Sequence, residues 1–128
     1  MDVIKELEEL AECRVTPCGS RVTCNPPPTD TDQDYLVAAN GKQSVAEAVN
    51  ILSAHGFSWE GNEHYQDVAE STFMSWRKGD VNFIVSANPD FVRRHHAATA
   101  LCTRFNLLEK ADRVALFQAV LYANIHGE

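Results

Sequence analysis

Long hydrophobic runs are missing from this sequence, and no apolar stretch approaches the roughly 18 residues that a transmembrane helix requires. The acidic N-terminus also lacks the basic region and apolar core of a signal peptide. These two absences predict a cytoplasmic protein with no membrane segment. An excess of basic residues is missing too, since the formal net charge is −7. This charge argues against broad, non-specific binding to nucleic acid.

The cysteines lack the Cys-x2-Cys spacing that is typical of structural zinc sites. They stand at positions 13, 18, 24 and 102. A zinc site formed by Cys13, Cys18 and Cys24 is an alternative that this spacing disfavours. In a reducing compartment, packed and unreactive free thiols are the favoured interpretation.

The chain also lacks internal repeats, and its composition is that of a globular protein, with 45% hydrophobic and 23% charged residues. A length of 128 residues is sufficient for one hydrophobic core. We therefore predict a single domain over residues 1–128.

The most informative stretch covers residues 19–37, where a Gly-Ser pair precedes two aspartates that lead into an apolar strand. Residues i and i+2 of a strand share a face, so Asp32 and Asp34 are expected to project side by side. Two adjacent carboxylates repel each other, and their hard oxygens suit Mg²⁺ or Mn²⁺. Gly19 permits close backbone approach, and Ser20 offers a hydroxyl and an N–H group to phosphate oxygens. The alternative is an Asx-rich turn that enters an ordinary strand.

This pattern resembles the nucleotidyltransferase superfamily, the group related to DNA polymerase β. The matching parts are Gly19-Ser20, the gap 21–31, and Asp32-Gln-Asp34 followed by Tyr-Leu-Val. The resemblance implies Mg²⁺-dependent or Mn²⁺-dependent transfer of an NMP from an NTP to an acceptor hydroxyl on a protein, an RNA or a small molecule. It assigns Asp32 and Asp34 to catalysis and metal binding, and Gly19, Ser20 and Arg21 to nucleotide binding.

The family also has a third carboxylate on a later strand, and the matching position in this chain is Asn82. An amide ligates a metal weakly and cannot act as a base. Asp80 lies two residues earlier and would replace it if the strand extended that far, although a simple turn residue is the favoured reading. The alternative function is therefore a degenerate, pseudoenzyme-like module that binds a nucleotide or a protein partner. Small stand-alone members of this fold act beside partners, as in toxin–antitoxin pairs, or are encoded by phages.

The order of predicted elements, together with the resemblance, indicates an α+β fold with a small mixed sheet and helices packed mainly on one side. Helices are predicted over 2–12, from a capping box at Ser44-Val-Ala-Glu47, from Asn88-Pro89, and over 109–124. Strands are predicted over 14–18, 32–37, 57–59, 73–76 and 81–86. An exposed polar loop is expected over 61–70.

Two helices carry more detailed expectations. The helix that begins at Pro89 is expected to bury one stripe, with His95 as a half-buried core residue; the stripe comprises Phe91, His95, Ala98, Cys102 and Phe105. The final helix is so apolar that it is expected to be well buried or to form a homodimer contact. Three prolines at 26–28 leave little room for a helix after Gly19-Ser20.

Overall fold

Five helices and five strands follow one another along the residues that the computed structural model describes, which are 2–28, 32–61 and 73–122. The helices are α1 (Val3–Glu9), α2 (Ser20–Thr23), α3 (Lys42–Ala54), α4 (Pro89–Phe105) and α5 (Lys110–Tyr122). The strands are β1 (Arg14–Cys18), β2 (Gln33–Ala38), β3 (Ser58–Gly61), β4 (Met74–Lys78) and β5 (Val81–Ser86). Apart from Gly61, the polar loop expected over 61–70 lies outside the described residues. No helix in the described ranges has the length and apolar character to cross a membrane.

The five strands form one mixed sheet in the order β1-β2-β5-β4-β3. Strands β2 and β5 are parallel, and the other neighbouring pairs are antiparallel. The register places Asn82 of β5 between Asp34 of β2 and Arg77 of β4. Three polar side chains therefore lie in one row across the centre of the sheet. The predicted α+β class and mixed sheet are confirmed.

One face of the sheet is closed by α1 and α3 around an apolar core. The core residues include Leu7, Val37, Ala48, Leu52, Phe83 and Val85. Val37, Phe83 and Val85 are at most 1% exposed, so little water reaches this face. This core fixes β2 and β5 in the register on which the polar row depends.

The opposite face is covered by α4 and α5. Leu36 and Ile84 of the sheet pack there with Phe91 of α4 and Leu121 of α5. Helices therefore cover both faces of the sheet rather than mainly one. Strands β2 and β5 carry apolar side chains on both faces, and such strands need cover on both sides.

The helix starts illustrate where local signals decide and where they do not. Helix α4 begins as predicted, because the Asn88 side chain accepts hydrogen bonds from Asp90 N and Phe91 N, with Pro89 in the first turn. The capping box at Ser44 is wrong, because α3 already begins at Lys42. Ser44 is buried instead, and its Oγ donates a 2.6 Å hydrogen bond to Ala11 O.

Three expectations about helix surfaces also need correction. Phe105 is 62% exposed, whereas the other four members of the predicted α4 stripe are buried. His95 is fully rather than half buried, at 2% exposure. Helix α5 is not well buried, since Leu121 is its one buried residue among those the structure describes, and the alternative of a homodimer contact stays a prediction. A short helix, α2, does fit between Gly19 and the prolines.

Candidate functional site

Asp34 and Asn82 form the centre of the site. They are direct neighbours in the parallel register, and Asn82 Nδ2 donates a 3.3 Å hydrogen bond to Asp34 Oδ1. Asn82 is 9% exposed, and its Oδ1 has no hydrogen-bond partner. A buried amide oxygen without a partner costs free energy unless a ligand or an ion satisfies it. The pair is therefore incomplete in a way that a bound group would correct.

The turn at Gly19 packs directly against Asp34. Gly19 has φ +77° and ψ −173°, a backbone region that essentially only glycine adopts. A Cβ at this position would overlap the Asp34 carboxylate and would stand 3.0 Å from Asp34 Cγ. This packing brings Ser20 into the same cavity as Asp34, and the approach of the Gly19 backbone to a nucleotide stays a prediction.

Asp32 belongs to a different network from Asp34. Asp32 precedes β2 and is half exposed. Its Oδ2 forms an ion pair with Arg77 Nη1 at 2.9 Å. Arg77 Nε also donates to Glu60 Oε1 at 2.7 Å. The hydrogen bond to Glu60, and then the hydrogen bond and charge of Asp32, raise the pKa of Arg77. The cation beside the first aspartate is thus a guanidinium that the chain itself supplies.

Asp80 and Arg21 lie outside the central row. Strand β5 begins at Val81, so Asp80 stays in the β4–β5 turn, with its carboxylate 3.8 Å from Arg21 Nη2. Its side chain is 61% exposed, and Asp80 O accepts a hydrogen bond from Gln33 N. Neither Asp80 nor Arg21 lines the cavity at Asp34, within the part of the chain that the structure describes. The strand therefore does not extend far enough to put Asp80 in the third-carboxylate position.

A cavity of about 410 Å³ opens beside Asp34 between the sheet and α5. Its sheet wall includes Asp32, Asp34, Ser75, Arg77 and Asn82. Its helix wall comprises His95, Lys110, Arg113, Val114 and Phe117. Among these lining residues, two carboxylates face three cations, so an anionic ligand finds favourable charge here despite the chain's net charge of −7.

The α5 wall was not identified from the sequence. Lys110, Arg113, Val114 and Phe117 have the spacing of one helix face, which was a detectable signal. That spacing alone does not show what the face contacts. Arg113 Nη1 lies 3.0 Å from Leu107 O and 2.7 Å from Leu108 O, so the α4–α5 connection holds its guanidinium in place.

His95 closes the inner end of the cavity. Its Nδ1 is buried without a hydrogen-bond partner, and its ring lies between the rings of Phe91 and Phe117, with centroids at 5.7 and 5.0 Å. Burial, and then repulsion from the charge on His96, lower the pKa of His95 to about 4. The imidazole is therefore neutral at physiological pH, and it offers a polar atom to a bound ligand.

The thiols near the cavity are packed groups. All four cysteines are buried and free, as expected for packed thiols. Burial, and then the charge of Asp34, raise the pKa of Cys18, which keeps this thiol protonated. Within residues 2–28, 32–61 and 73–122, no three His, Cys, Asp or Glu side chains are grouped to hold a metal ion.

A divalent ion nevertheless has suitable donors beside Asp34. The Asp34 carboxylate and the unpartnered Asn82 Oδ1 are hard oxygen ligands, which Mg²⁺ and Mn²⁺ prefer. Mg²⁺ commonly uses one or two protein carboxylates and takes its remaining ligands from water and substrate phosphates. The residues present therefore fit one such ion, with Asp32 held by Arg77.

No protein-family model matches the sequence, and no curated protein matches it either. The structure is similar to that of a cytoplasmic RNA terminal U-transferase, with a TM-score of 0.55 and 13% sequence identity. The chain has a nucleotidyltransferase-like fold. The similarity covers 88% of this chain and 32% of the U-transferase, so this chain spans about a third of that protein's length.

Proposed function

We propose that the chain binds an NTP together with Mg²⁺ or Mn²⁺ in the cavity at Asp34 and transfers an NMP to an acceptor hydroxyl, whose oxygen bonds to the α-phosphorus as pyrophosphate leaves and the hydroxyl proton passes to solvent. The observation that carries this proposal is the packing of the Gly19–Ser20 turn against Asp34, beside Asn82. The similarity of the fold to that of an RNA terminal U-transferase supports the general class of reaction.

The cavity offers a separate wall to each part of the nucleotide. Ser20 presents its hydroxyl to phosphate oxygens, and Lys110 and Arg113 supply positive charge from the opposite wall. Val114 and Phe117 on the same helix offer an apolar surface for the base or ribose. A bound divalent ion would supply further positive charge to the triphosphate at Asp34.

Asn82 limits what the site does chemically. Its unpartnered Oδ1 is a neutral ligand for the divalent ion, and an amide does not remove the proton of the acceptor hydroxyl. Asp80 does not replace it, because its carboxylate lies in the β4–β5 turn beside Arg21. We therefore expect nucleotide binding to be intact and transfer by the wild type to be slow.

The test is transfer of label from α-³²P NTPs to cell protein, RNA and small hydroxylated molecules. Asn82→Asp introduces the missing carboxylate and should raise the transfer rate by about 10²–10⁴-fold, the usual contribution of a general base. Asp34→Asn should abolish transfer in either background, whereas Asp80→Asn serves as the control that changes little. Transfer that survives the loss of Asp34 would exclude the mechanism.

The second candidate function is a binding module without turnover, and Asn82 is the observation that favours it. In that case every variant, Asn82→Asp included, binds the NTP and transfers no label. In that case no acceptor is modified, and a protein partner or a second copy of the chain would recognise the nucleotide-bound form. Cytoplasmic location is part of both proposals.

A further inference from the structure

The two aspartates of the Asp-x-Asp pair are balanced in different ways. Asp34 Oδ1 accepts a hydrogen bond from Asn82 Nδ2, whereas Asp32 Oδ2 forms an ion pair with Arg77 Nη1 at 2.9 Å. The register places Arg77 directly opposite Asn82, and 24% of its side chain is exposed. Arg77 therefore belongs to the polar row of the sheet. Glu60 of the neighbouring edge strand fixes its Nε. One permanent cation is thus built into the row that carries Asp34.

We propose that Arg77 is a resident cation that occupies Asp32, so that the cavity takes a single divalent ion, with Asp34 and Asn82 as its ligands. This inference rests on the proposed function, because it concerns the ion that accompanies the nucleotide. Asp32 serves as the anchor of Arg77 and is not a ligand of the ion.

Charge explains why a second ion is disfavoured. The Arg77 guanidinium lies 2.9 Å from Asp32 Oδ2, and although its charge is shared between Asp32 and Glu60, it keeps its proton at every physiological pH and repels a cation placed beside it. A second ion at Asp32 would have to displace the guanidinium and then remain near it, since Glu60 holds Arg77 from the other side. Asn82 adds no charge that would compensate for this repulsion.

The same arrangement predicts how the single ion arrives. Of the two carboxylates that line the cavity in the described part of the chain, Asp32 pairs with Arg77, and the remaining set of one carboxylate and one amide oxygen holds a divalent ion weakly. The phosphates of a nucleotide supply the remaining ligands. The ion is therefore expected to bind as a complex with the nucleotide rather than ahead of it.

The experiment counts Mn²⁺ ions bound to the folded protein by electron paramagnetic resonance, with and without a non-hydrolysable NTP analogue. The wild type should bind one ion in the presence of the analogue. Arg77→Met should bind a second ion, or bind Mn²⁺ about tenfold more tightly, because the competing charge is gone. Arg77→Lys keeps that charge and should still bind one ion.

Two further variants make the outcome decisive. Arg93→Met is the matched control, because it removes the same charge from an exposed position on α4 where the guanidinium pairs with Asp90. Asp32→Asn tests the proposal with Arg77 unchanged, so its outcome does not depend on whether the Arg77 variants fold. It should retain the single ion within about threefold in affinity, whereas Asp34→Asn should lose it.

Two bound ions in the wild type, loss of the ion in Asp32→Asn, or identical binding by wild type and Arg77→Met would each overturn the proposal. Failure of the underlying function has a different signature. In that case the wild type binds neither Mn²⁺ nor the analogue, or Asp34→Asn binds both as tightly as the wild type.

Discussion

Strand β5 presents two different surfaces to the two sides of the sheet. On the side of α1 and α3, Phe83 stacks on Tyr35 with ring centroids 5.2 Å apart and meets Phe57 edge-on at 5.1 Å. On the side of α4 and α5, the preceding residue of the strand, Asn82, has a buried oxygen without a partner. Adjacent residues of one strand thus belong to a completed core and to an incomplete polar site.

The two faces of the sheet contribute differently to stability and to ligand binding. The α1/α3 face has few polar side chains in its core and gains its stability from buried apolar area. The opposite face gains less stability from buried apolar area, because its cavity wall combines Asp34, Asn82 and His95 with apolar neighbours. Changes on the first face should therefore alter unfolding, and changes on the second should alter ligand binding.

The largest effect on stability is expected from Phe83→Ala. Removal of a fully buried aromatic ring typically costs about 3–5 kcal/mol of unfolding free energy. Asn82→Ala is the comparison on the other face, and it should cost no more than about 1.5 kcal/mol, since it removes one hydrogen bond and one unsatisfied oxygen. Urea unfolding followed by circular dichroism measures both values. Equal losses in the two variants would remove the distinction between the faces.

Acid should weaken the fold through His95. Its pKa is about 4 in the folded protein and near 6.5 in the unfolded chain, so the unfolded chain binds the proton more readily. The contribution to stability is therefore complete above pH 6.5 and is lost as the pH falls towards 4. The difference corresponds to about 3 kcal/mol of unfolding free energy.

The charge of His96 on the same helix opposes the protonation of His95, and the cavity that His95 lines also contains Asp32, Asp34, Arg77, Lys110 and Arg113. Urea unfolding between pH 4 and pH 7 measures the slope. His95→Gln should flatten it, whereas His96→Gln, at an exposed neighbouring position, should leave most of it. A slope that persists in His95→Gln would assign the pH dependence to other groups.

A pair of glycines separates backbone strain from steric blocking of the site. Gly19 and Gly41 both adopt positive φ with ψ near 180°, so alanine at either position should cost about 1–3 kcal/mol. A Cβ on Gly19 would overlap Asp34, whereas a Cβ on Gly41 has nothing within 4 Å. Only Gly19→Ala should weaken NTP binding, measured by calorimetry. Equal weakening in Gly41→Ala would attribute the effect to strain.

The smallest effect is expected from Asp80→Asn. This carboxylate is 61% exposed and 3.8 Å from Arg21, so it belongs to the class of surface ion pairs worth about 0–1 kcal/mol. Both the unfolding free energy and the affinity for NTP should stay near the wild-type values. A tenfold loss of NTP affinity would return Asp80 to the site.

Much of the site was predictable because its signals are local. The Gly19 turn needs a glycine, and the Asn88 cap begins α4 in the expected way. The period of two in β5 places Phe83 and Val85 on one face and Ile84 on the other. The assignment of the third-carboxylate position to Asn82 stays a prediction, although the register puts this residue beside Asp34.

The remaining features depend on contacts between distant parts of the chain. Ser44 fits a capping box locally, but its hydroxyl is used by Ala11 O in another element. The pairing of Arg77 with Asp32 requires the β4–β5 register, and the cation wall of α5 requires the packing of α5 over the sheet. Sequence spacing does not encode which partner a charged side chain will meet. These contacts could therefore not be predicted from the sequence pattern.

The central claim is that the cavity at Asp34 holds the NTP with its divalent ion. The most direct measurement is calorimetric titration of a non-hydrolysable NTP analogue with Mn²⁺ into wild type, Asp34→Asn and Asp80→Asn, which make the same chemical change inside and outside the cavity. Asp34→Asn should lose at least about tenfold in affinity, while Asp80→Asn should stay within about twofold. Equal affinities for the wild type and Asp34→Asn would contradict it.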